Sequence, residues 1–130
     1  MSVSRINLAD ERPLVALICR VPLIAEAISS ALEEIAEVRV FPGDRGGTDG
    51  LLRSLDPDGV VVDSPREAAE AAGFALERGV PLLEVSLVEQ RLRVLGPDGW
   101  EADGEAAATP EAIRNVLVGR ILGREAVRER

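Results

Sequence analysis

The sequence predicts an α/β domain of three layers, with helices on both sides of a mainly parallel sheet, closed by a carboxyl-terminal hairpin and a final helix. Three observations carry this expectation. Val60, Val61 and Val62 form an apolar run without polar alternation, the pattern of a central strand covered on both faces. Around it, short apolar runs alternate with segments whose apolar residues recur at helical spacing, the order that builds a parallel sheet. With 46% hydrophobic but only 2% aromatic residues, the core must come from Leu, Val, Ile and Ala, which suits helices packed on strands.

In chain order, Leu14–Cys19 (LVALIC) lies between Pro13 and Arg20 and reads as a buried first strand. From Pro22, apolar residues from Leu23 to Ile35 gather on one side, with Glu26, Glu33, Glu34 and Glu37 mostly elsewhere, which makes an amphipathic helix. Val38–Phe41 is a short second strand. Pro42–Gly47 (PGDRGG) is a surface loop that lacks the lysine and the spacing of a phosphate-cradling loop. Thr48 and Asp49 start a brief helix through Leu51, Leu52 and Leu55. A DPDG turn then leads into the valine strand, and Asp63 closes it. A lone acid at that point is a functional candidate, because open α/β sheets bind ligands in the crevice outside the carboxyl ends of their strands.

Ser64, Pro65 and Glu67 form a helix-start pattern, with Ser64 as cap and Glu67 as reciprocal partner. That helix runs to Arg78, and Gly79 suits its left-handed cap. Val80–Leu87 is a fourth strand in which Glu84 requires either an edge position or a partner. Arg91–Leu95 alternates as a half-exposed strand, Gly96–Gly99 is a turn, and Trp100 begins a return strand. A mostly polar linker through Ala108 precedes a last helix opened by Thr109 and Pro110, with Ile113, Val116, Leu117 and Ile121 as its core stripe. Val118 and Leu122 lie off that stripe and mark a candidate dimer or partner face.

The 130 residues fit one domain, 1–130, with residues 1–12 as a loosely held amino-terminal segment. A net charge of -8 argues against direct nucleic-acid binding, which needs a basic surface to displace counterions. It equally disfavours an anionic membrane, and no apolar run is long enough to span a bilayer. One cysteine, no histidine and no signal-like segment point to a cytoplasmic chain with no zinc site and no cofactor. All positive charge is arginine, so no step uses a lysine amine.

Three segments carry a resemblance to a known family. Leu17–Ile28 (LICRVPLIAEAI) is similar to a first strand and helix in which two acids precede a variable residue, a proline and an apolar helix. Leu55–Ser64 (LDPDGVVVDS) matches the turn and strand that carry a phospho-accepting aspartate, and Pro81–Leu87 (PLLEVSL) matches a fourth strand closed by a hydroxyl residue. Over roughly Leu14–Leu87 the chain resembles the receiver domain of bacterial response regulators. That resemblance implies a flavodoxin-like fold, with Asp63 as the phospho-acceptor position and Ser86 as the hydroxyl position. The family's acid pair falls on Cys19 and Arg20, and its lysine has no counterpart here.

These replacements bear on chemistry. Phosphoryl transfer to a carboxylate needs a divalent cation to neutralise the charge that accumulates. A thiol is a poor Mg²⁺ ligand and a guanidinium is none. The expectation is a degenerate receiver with no catalytic residues, whose pocket consists of Asp63, Arg20, Cys19 and Ser86, Arg20 taking the vacated cation site and pairing with Asp63. Its expected function is a phosphorylation-independent pseudo-receiver, not an enzyme, that serves signalling by docking a separate protein or forming a homodimer. Two alternatives stay open. One is an enzyme or carrier that uses Cys19 for phosphoryl or redox chemistry, helped by Arg20. The other is a small-ligand sensor built on the crevice at the carboxyl ends of the strands.

Overall fold

Short apolar runs and amphipathic segments become strands and helices in the predicted order. A computed structural model describes residues 12–43, 46–86, 89–96, 99–101 and 109–128, with side chains through Ile121 in the last helix. Its elements are β1 (Leu14–Cys19), α1 (Pro22–Leu32), β2 (Glu37–Pro42), α2 (Thr48–Leu55), β3 (Gly59–Val62), α3 (Pro65–Arg78), β4 (Leu82–Ser86), β5 (Arg91–Gly96), β6 (Gly99–Trp100) and α4 (Pro110–Arg128). The expected segment 1–12 lies outside the described residues except for Arg12.

The six strands form one sheet in the order β2-β1-β3-β4-β5-β6. β2, β1, β3 and β4 run parallel, with Ile18 opposite Val62 and Val62 opposite Glu84. β5 is antiparallel to β4, and β6 to β5. The short connection from Ser86 to Arg91 explains the reversal, because a parallel neighbour requires a crossover of a dozen or more residues. The expected hairpin is present, with Leu95 opposite Trp100.

Strand alternation divides the core between the two faces. Val15, Leu17 and Cys19 of β1 join Val61, Leu83 and Val85 under α1 and α4, where Ile28, Leu32, Ile113 and Leu117 cover them. Ala16 and Ile18 join Val60, Val62 and Leu82 under α2 and α3, beneath Leu52, Ala71 and Phe74. The valine strand is fully buried between the two layers, each side chain contributing roughly 1.5–3 kcal/mol of transfer free energy. Gly59, at its start, lets α4 come close: a Cβ there would lie 3.2 Å from Leu117 Cδ2.

Local signals hold with two adjustments. Ser64 Oγ accepts the Glu67 N–H at 3.2 Å, and Gly79 takes the left-handed cap at φ 67°. α1 stops at Leu32, and Ile35 sits in the following turn. α2 is preceded by Gly47 at φ 71° as its cap, without a side-chain cap bond, so Thr48 is free for the longer-range contact described below. Among the described residues no helix is long and apolar enough to cross a membrane.

Candidate functional site

β1 and β3 are parallel neighbours, so Arg20 and Asp63 leave the sheet side by side at its carboxyl end. The half-buried Asp63 turns back onto the β1–α1 connection. Its Oδ1 and Oδ2 accept the Arg20 main-chain N–H at 3.0 and 2.9 Å, and Oδ2 accepts the Val21 N–H at 3.1 Å. The expected contact between Arg20 and Asp63 is therefore made by the Arg20 main chain. The Arg20 side chain heads toward the other neighbour of β1: a Cβ on Gly43, just after β2, would lie 2.7 Å from Arg20 Cγ.

Cys19 is buried beneath this connection, 6% exposed. Burial first, and the charge of Asp63 second, push its thiol up to about 12. It is a neutral thiol at pH 7, whereas nucleophilic and metal-binding cysteines act as thiolates. Ser86 Oγ accepts the Glu89 N–H at 3.2 Å and so closes the β4–β5 turn. Its neighbour Val85 faces α1 and α4, and alternation turns Ser86 toward the other layer. Val118 is half-buried, and the Leu122 side chain lies outside the described residues. Asp63, Arg20 and Cys19 thus come together, while Ser86 serves its own turn.

Glu67 is the residue whose wider role the sequence did not reveal. It is 1% exposed, its Oε1 accepts the Thr48 hydroxyl at 2.6 Å, and its Oε2 would lie 3.5 Å from a Cβ on Gly43. It joins the start of α3 to the start of α2 and lies near Gly43, just after β2. The helix-start pattern located Glu67, but only the chain's packing could bring Thr48 to it. The acids of the DPD turn are structural in the same sense. Asp58 exchanges two hydrogen bonds with the Leu14 main chain, at 2.7 and 2.9 Å, and Asp56, left-handed at φ 53°, pairs with Arg78 at 2.7 Å.

Beside the Asp63 contact lies an apolar groove of about 280 Å³ between the first turns of α1 and α4, lined by Val21, Leu23, Ile24, Val85, Pro110 and Ile113. Leu23 at its rim is 76% exposed. Among the described residues, no three His, Cys, Asp or Glu side chains cluster as metal ligands. Comparison with protein-family models, curated proteins and solved structures finds no match to this chain.

Proposed function

We propose that this chain is a cytoplasmic, non-catalytic pseudo-receiver that acts in signalling as a phosphorylation-independent interaction module, alone or as a homodimer. The observation behind this reading is the state of Asp63. Both of its carboxylate oxygens bind main-chain N–H groups, so accepting a phosphoryl group means giving up contacts that hold the β1–α1 connection. Cys19 and Arg20, which stand where cation-binding acids are needed, offer Mg²⁺ no suitable ligand. The parallel order β2-β1-β3-β4 agrees with a flavodoxin-like sheet, and the antiparallel β5 is this chain's departure from it. The raised Cys19 pKa weighs against the cysteine-based alternative. The test is an amide correlation spectrum recorded before and after adding MgCl₂ and then acetyl phosphate. This reading expects Arg20, Val21 and Asp63 to keep their positions, and shifts centred on them would contradict it.

The apolar groove favours a second reading, a sensor of a small uncharged ligand at the carboxyl end of the sheet. A thermal-shift screen of small apolar compounds checks it, since a ligand of the native state raises the melting temperature.

A further inference from the structure

α2 and α3 each carry an acid in the first turn and a base in the last, Asp49 with Arg53 and Glu67 with Arg78. These charges oppose the partial charges that the helix macrodipole places at its ends. α1 has neither: its first turn holds no acid, its last turn no base, and its cap residue Val21 makes no side-chain cap bond. Both missing charges arrive from other parts of the chain. At the amino end the Asp63 carboxylate accepts the N–H groups of Arg20 and Val21. At the carboxyl end the Arg12 guanidinium donates to the carbonyls of Glu33 and, at 3.0 Å, Ala36.

We infer that α1 is clamped from outside by two opposite charges, Asp63 and Arg12, and that Asp63 is a release point for its first turn. That turn carries Leu23 and Ile24, which with Val21 form one wall of the apolar groove. The carboxylate thereby sets the shape of the groove through the Val21 main chain. The inference stands on the contacts at the ends of α1 and holds whether or not the domain serves signalling.

Residue-resolved hydrogen exchange on the full chain tests it, comparing wild type with Asp63→Ala, Asp63→Asn and Arg12→Gln. Asp63→Ala is expected to speed exchange at Arg20, Val21, Ile24 and Ala25 by a factor of about 5 to 30, the range for loss of a cap. Asp63→Asn, which keeps an acceptor oxygen but no charge, falls between. Arg12→Gln is expected to act on Glu33 and Ala36 and to leave the first turn as it was. Unchanged protection of Arg20 and Val21 in Asp63→Ala would overturn the inference. So would a uniform rise that included Ala71 and Ala75 of α3 in both Asp63 variants, which would report loss of the whole fold.

Discussion

Asp63 and Glu84 are acids on neighbouring strands held by opposite means. Asp63, at the end of β3 in the parallel half, is half-buried and bonded to main-chain N–H groups. Glu84, within β4 where the sheet turns antiparallel, is 5% exposed and held by a side chain, that of Arg93 directly opposite. The Arg93 guanidinium also lies 4.4 Å from the centre of the Trp100 ring. A carboxylate at a strand end borrows donors that the backbone has to spare, so its loss is local. A carboxylate inside a sheet depends on a partner, and loss of that partner leaves a charge without solvent.

The largest expected effect sharpens the picture of the parallel half. Its buried thiol, Cys19, has its pKa raised from 9.0 to about 12. Both states are protonated below pH 9. Above it the unfolded chain ionises first, so stability present below pH 9 is lost as pH rises toward 12, on the order of 4 kcal/mol in all. The chain has no Tyr and no Lys, the side chains whose ordinary pKa values fall in this range. Urea unfolding across this range should show the decline in wild type and not in Cys19→Ala.

Next in size is Arg93→Ala, which strands Glu84 and is expected to cost about 3 kcal/mol, the low end for a broken buried pair because Arg93 is partly exposed. Replacing both partners, Glu84→Leu with Arg93→Leu, should recover most of that loss in the same urea experiment. If the single and double variants are equally destabilised, the contrast between the two acids fails. Asp63→Ala removes a cap and is expected to cost about 1 kcal/mol, as is Ser64→Ala at the start of α3. Smallest is Arg39→Ala on β2, the edge strand among the described residues, where the 3.1 Å pair with Glu37 is exposed on both sides. Its change in melting free energy should stay within about 0.5 kcal/mol.

Much of the parallel half was legible because its signals are local. The valine run, the Ser64 cap, Gly79 and the Pro110 helix start each declare an element from a few adjacent residues. Glu84 was legible as a problem, and its solution was not, since Arg93 lies opposite only because the short β4–β5 connection fixes an antiparallel register. At the candidate site the sequence placed Arg20 and Asp63 at the ends of two strands, and those strands are neighbours in the sheet. It could not tell a guanidinium contact from a main-chain one, because the direction of the Arg20 side chain depends on the space left by Gly43. Thr48 and Glu67 escaped for the same reason: each looks like a residue serving its own helix until the helices are packed.

Asp63 is proposed to serve structure and not chemistry. The most direct measurement is the intact mass of wild type and Asp63→Asn after incubation with acetyl phosphate and Mg²⁺. No phosphoryl adduct is expected on either protein. An adduct on wild type that is absent from Asp63→Asn would contradict this proposal, and would make Asp63 a working phospho-acceptor that leaves the Arg20 and Val21 amides to react.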